Sequence, residues 1–97
     1  MLIHCLTLRF RESASSTDIE AFTQAVAALP SRLDFPIRTR QGHDLGERSA
    51  NADYAIVTEF ETVEDFSAYL AHPAHLGLPR EAIESVQSVQ FRVDLRS

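Results

Sequence analysis

The sequence predicts an α+β domain in which two helices cover one face of an antiparallel sheet. Three observations carry this. Leu2 to Phe10 and Val89 to Leu95 alternate apolar and polar residues with the two-residue period of half-buried strands, and Tyr54 to Phe60 is rich in β-branched and aromatic residues. Between them lie two segments with apolar residues at helical spacing: Ile19, Phe22, Val26 and Leu29, then Phe66, Tyr69 and Leu70. At 97 residues the chain has the size of one compact domain, and residues 1–97 read as a single unit without repeat, linker or low-complexity tract.

The first strand follows from the shared parity of Leu2, His4, Leu6, Leu8 and Phe10. Thr17 and Glu20 have the spacing of a capping box, in which a hydroxyl and a carboxylate satisfy free amides, so the first helix is expected to start there. Pro30 is expected to close it, because proline lacks the N–H and clashes with the preceding turn. Ile37 to Leu45 is expected as an extended strand with Gly42 as a bend or bulge, and the polar stretch Gly46 to Asp53 as a turn leading into Tyr54–Phe60. Thr62 can cap the second helix, with Glu64 and Asp65 near the positive end of its dipole. Pro73 disfavours helical geometry at His72, so His72 to His75 is expected as a turn, with His72 pointing outward to cap the helix end. A short helical piece is expected at Pro79 to Glu84. In the last strand Val89, Phe91, Val93 and Leu95 form one face against solvated Gln90, Arg92 and Asp94.

The resulting order, β-α-β-β-α-β, is that of a ferredoxin-like subunit, whose two crossover helices lie on the same side of the antiparallel sheet. The opposite-parity residues Ile3, Cys5, Ala55 and Val57 then leave apolar patches on the other face. A chain of this size buries only roughly 60–65% of its unfolded surface, so a second copy is expected to cover that face, giving a homodimer of the dimeric α+β barrel type.

Composition narrows the partners and cofactors. A formal net charge of −5 opposes binding to a phosphate backbone, so no nucleic acid is expected. Met1 to Phe10 alternates in polarity and has no basic leader before a long apolar run, which predicts a soluble protein with no membrane partner. Cys5 is the single cysteine; it reads as a small core hydrophobe in a reducing, cytoplasmic compartment. No Gly-x-Gly-x-x-Gly, phosphate loop, Gly-x-Ser-x-Gly or Cys-x-x-Cys motif occurs, and no cofactor is expected. His72 and His75 have a spacing found in metal sites, with His43 and Asp44 elsewhere in the chain, but the pattern supplies no complete ligand set and no metal is expected.

Several segments together resemble the stress-responsive A/B-barrel, or dimeric α+β barrel, domain family: Leu2-Ile3-His4 with Leu8-Arg9-Phe10, Gly42-His43-Asp44, Tyr54-Ala-Ile-Val leading to Glu59-Phe60, and Tyr69-Leu-Ala-His72-Pro-Ala-His75. The resemblance spans nearly the whole chain, with the His-Pro-Ala-His stretch its most specific part. It implies a ferredoxin-like subunit, a homodimer formed through the sheets, and a pocket between sheet and helices. It also implies site residues, because a plant polyketide cyclase of this family closes its substrate by aldol condensation with a Tyr and a His. Tyr69 and His75 match that catalytic pair. His4 matches a pocket histidine and Tyr54 stands where the cyclase has another, which makes these two the substrate-binding candidates.

The chemistry suits the residue types. A neutral imidazole, with an ordinary pKa near 6.5, abstracts a proton beside a carbonyl, and a tyrosine hydroxyl donates to the oxygen that becomes negative. Six residues apart across a proline, Tyr69 and His75 are brought together by the resemblance and not by helical periodicity. Two readings stay open: a dimeric stress-associated binding protein, or a cofactor-independent cyclase or lyase acting on a small, mostly apolar carbonyl compound.

Overall fold

The structure, a computed structural model, describes residues 1–92. In chain order the elements are β1 (Leu2–Phe10), α1 (Ser16–Arg32), β2 (Ile37–His43), β3 (Tyr54–Phe60), α2 (Val63–Ala71), α3 (Pro73–Leu76) and β4 (Ile83–Arg92). The strands form one antiparallel sheet in the order β2-β3-β1-β4, so β1 and β3 lie at its centre. In-register partners share a sheet face, and the β1–β3 register sets Leu2 beside Phe60, Leu6 beside Ile56 and Leu8 beside Tyr54 on the helix side. Phe22, Val26 and Leu29 of α1 and Tyr69 of α2 close over these residues to form the core. Phe60, Leu8, Leu29 and Val26 are fully buried, each contributing on the order of 1.5–3 kcal/mol through its side chain. This is the ferredoxin-like α+β fold that the order of elements predicts.

Several boundaries differ from the sequence expectation, each for a local reason. The N-cap of α1 is Ser15, whose hydroxyl accepts from Asp18 N at 3.0 Å, and not Thr17; Glu20 instead accepts from the Gln24 side chain at 2.9 Å. Pro30 lies inside α1, which continues to Arg32. So near the helix end the missing N–H removes a single ladder bond, and the Ser31 hydroxyl donates to Ala28 O at 2.8 Å in the same turn. Gly42 sits in regular register with Ala55 and makes no bulge, and β2 stops at His43. The register irregularity falls between Arg9 and Phe10 against β4.

The segment after α2 differs most. His72–His75 is not a plain turn: Pro73 opens the four-residue helix α3 at its first position, where a missing N–H costs nothing. His72 is half-buried and caps the start of α3, Nδ1 accepting from Ala74 N at 3.0 Å. Residues 79–82 carry no helix, and Ile83 already belongs to β4. Val93 and Leu95, expected in the last strand, lie outside the described residues.

On the sheet face away from the helices, Val57 is 38% and Val89 59% exposed, and their common neighbour in register is Cys5. Ile3, on the same face, is 5% exposed within the single chain. No described helix is long and apolar enough to cross a membrane.

Candidate functional site

A cavity of about 240 Å³ lies between the sheet and the helices. Its floor is His4, Leu6, Ile56 and Thr58; α1 supplies Phe22, Val26 and Leu29 as an apolar wall; Tyr69, His75 and Arg80 close the remaining side. The floor is polar along one row, since Gln90, His4, Thr58 and Thr39 are successive partners across the strands on the helix side. Thr58 is buried, and its hydroxyl shares a 3.4 Å hydrogen bond with that of Thr39. That pairing removes the cost of a lone buried hydroxyl on an otherwise apolar strand face.

Tyr69 and His75 meet because the chain reverses between them. His72 N donates to Tyr69 O at 3.1 Å, ending α2, and Pro73 then starts α3, which carries His75 back toward the ring of Tyr69. The two rings have centroids 4.5 Å apart at an interplanar angle of 50°. Gly77 keeps α3 tight: its N donates to Pro73 O at 2.9 Å, and a Cβ there would stand 3.1 Å from that oxygen. Arg80 then fixes the far end, donating to His75 O at 2.7 Å and to Leu76 O and Leu78 O at 3.0 Å each. A cation on the last carbonyls of a helix is favoured by their partial negative charge.

Protonation follows from this packing. Burial, reinforced by the Arg80 charge, pushes the His75 pKa below its ordinary 6.5, against a smaller upward pull from the Leu70 carbonyl. His75 Nδ1 lies 3.3 Å from Leu70 O. A carbonyl only accepts, so Nδ1 carries the proton of the neutral ring and Nε2 is left as the basic nitrogen. His4, packed on Phe66 with centroids 5.3 Å apart, is also pushed down, first by burial and then by His75. Tyr69 is pushed up by burial, partly offset by Arg80, so its hydroxyl stays a donor at neutral pH. The cavity therefore holds two neutral imidazoles, one phenol and one guanidinium, an arrangement able to remove a proton and to stabilise a developing negative charge.

The structure brings Tyr69, His75 and His4 to one cavity and leaves Tyr54 outside it. Tyr54 is buried; its hydroxyl donates to Gln41 Oε1 at 2.6 Å, and Gln41 Nε2 donates to Thr23 O at 3.0 Å, tying β3 and β2 to α1. Its ring packs on Phe10 and His43, and Tyr54 lines a separate depression together with His43 and Asp44. Arg80 and Thr58 are polar residues of the cavity lining that the sequence reading did not single out. Thr58 carries a signal, a hydroxyl on the buried parity of β3; Arg80, in an irregular loop, carries none.

The fold and this cavity define a ferredoxin-like subunit with a pocket under its helices. Residues 2–96 match the Stress Responsive A/B Barrel Domain, and the chain belongs to that family. It is 26% identical over 76 residues to olivetolic acid cyclase from Cannabis sativa, covering 76% of this chain and 75% of that enzyme. A dimeric ferredoxin-like protein of unknown function from Thermobifida fusca superposes with a TM-score of 0.80 at 25% identity, over 95% of this chain and 90% of that one. Hydroxynitrile lyase from Passiflora edulis shares the fold at a TM-score of 0.84 and 19% identity, over 99% and 95% of the two chains.

Proposed function

We propose that this protein is a homodimeric, cofactor-independent acid–base catalyst acting on a small carbonyl compound held between sheet and helices, with Tyr69 and His75 as the catalytic pair and His4 as a pocket residue. The observation that carries this reading is the 4.5 Å approach of the Tyr69 and His75 rings in one cavity. His75 Nε2 takes the proton from the carbon beside the carbonyl, and the C–H electron pair becomes the enolate. Its negative oxygen accepts from the Tyr69 hydroxyl. The enolate carbon then attacks a second carbonyl carbon, and the resulting alkoxide recovers the proton from the imidazolium, so the aldol closure is redox-neutral and needs no co-reactant. The likeness to a cyclase supports the choice of reaction class.

The homodimer is supported by Val57 and Val89, exposed apolar side chains on the uncovered sheet face, and by the dimeric state of the Thermobifida fusca protein. A non-catalytic binding role is the second reading, favoured by the His75–Leu70 contact and the three carbonyl bonds of Arg80, which would pin a turn whether or not chemistry follows. Turnover of a small poly-β-keto compound and melting temperature, measured on the same variants, separate the two. Catalysis is expected to drop by about a hundredfold or more in Tyr69→Phe and His75→Ala, with the Phe variant folding normally. Loss of stability in both variants with no turnover to lose in the parent protein would favour the binding role.

A further inference from the structure

Among the described residues Arg80 is the only permanently charged side chain on the cavity lining, to which no Asp or Glu contributes. The neighbouring Glu81 and Glu84 are exposed and lie outside the lining. Of the five N–H donors of a guanidinium, Arg80 gives three to the carbonyls of His75, Leu76 and Leu78. These bonds fix its position without supplying a counter-charge. Among the described residues two donors remain without an acceptor, the number that the two oxygens of a carboxylate take. Arg80 is itself exposed, so this fixed cation stands where the largely apolar cavity meets solvent and is a recognition group for an entering anion.

We propose that Arg80 receives a carboxylate, so that the substrate class is a medium-chain keto acid and not a neutral ketone. This rests on the reading of the cavity as a ligand site and specifies what it takes. One arginine balances one negative charge, whereas a phosphate monoester carries about −1.5 to −2 and would be left partly uncompensated. The cavity, about 240 Å³, is smaller than the roughly 300–1,000 Å³ of common small-molecule sites, which limits the ligand to a compact chain. Phe22, Val26 and Leu29 then cover the hydrocarbon part, and the carbonyl falls toward Tyr69 and His75.

Calorimetric titration of the intact protein with octanoate, octanamide and octyl phosphate tests this. Octanoate is expected to bind about tenfold more tightly than octanamide, with NMR shifts at Tyr69 and His75, and the difference is expected to shrink when NaCl rises from about 50 mM to about 500 mM. Arg80→Gln is expected to abolish the preference. The comparison on the parent protein decides the matter even if that variant folds poorly. Equal binding of octanoate and octanamide in the cavity would overturn the role of Arg80 while leaving the cavity a ligand site. Tighter binding of octyl phosphate would overturn the carboxylate assignment, and absence of binding by all three probes would overturn this inference together with the ligand-site reading.

Discussion

Three influences meet at His75: its burial and the Arg80 charge disfavour the imidazolium, and the Leu70 carbonyl favours it. The first two win, and His4 is shifted the same way. A histidine whose pKa is lowered by folding takes up its proton more readily in the unfolded chain, so stability is complete above about 6.5 and is lost as pH falls through the window below it. The melting temperature is therefore expected to fall between pH 7.5 and pH 5.5, and to fall less in a His4→Gln, His75→Gln double variant. Equal pH dependence in the two proteins would contradict the burial of neutral imidazoles. Of these residues, the sequence made His4 legible as a polar ring on an apolar parity. The Tyr69–His75 contact was not legible from spacing, since it depends on Pro73 restarting a helix between them. Tyr54 lies apart from the cavity of Tyr69 and His75, with its hydroxyl engaged by Gln41.

At the scale of elements, β1, β3 and the apolar stripe of α1 were plain in the sequence because each buries a single face with its own period. The capping-box spacing of Thr17 and Glu20 points to a start of α1 two residues later than the real cap, Ser15, whose hydroxyl accepts from Asp18 N. Ser15→Ala is expected to cost about 1 kcal/mol, a drop of roughly 4–8 °C in melting temperature, while Thr17→Ala changes it little. The reverse ranking would place the cap at Thr17. The β4 strand was read too late because it is an edge strand beyond the helices. Its helix-side positions Ser88 and Gln90 are polar and exposed, so no buried apolar period marks them. The irregularity opposite Arg9 and Phe10 also returns Ile83 to the helix side against the parity of the rest of the strand. That bend leaves Ile83 and Val86 at the cavity wall, where a regular alternating pattern would not put both.

At the scale of the molecule, the chain is a plate measuring 37 × 31 × 18 Å, thin because one sheet is backed by one layer of helices. Ile3 is already covered within the subunit, so substituting it would disturb the subunit itself. Val57 is the better probe: Val57→Lys would bury an unpaired charge in a dimer but remain solvated in a monomer. Light scattering is expected to give a dimer for the parent protein and a smaller particle for the variant, with helical content unchanged by circular dichroism. A parent protein that is monomeric across the micromolar range would contradict sheet-to-sheet pairing. A pocket on one face and an uncovered face carrying Val57 and Val89 on the other follow from the same cause, helices covering a four-stranded sheet on one side only.

The convergence of Tyr69 and His75 on a bound carbonyl is tested most directly by following α-proton exchange of a medium-chain 4-keto acid in D₂O by ¹H NMR. This measurement needs no knowledge of the natural substrate, because it reads proton abstraction itself. The parent protein is expected to accelerate exchange over buffer, and Tyr69→Phe and His75→Ala to lower that acceleration by about a hundredfold each while remaining folded. No acceleration by the parent protein, or full acceleration retained in both variants, would contradict the assignment of this pair.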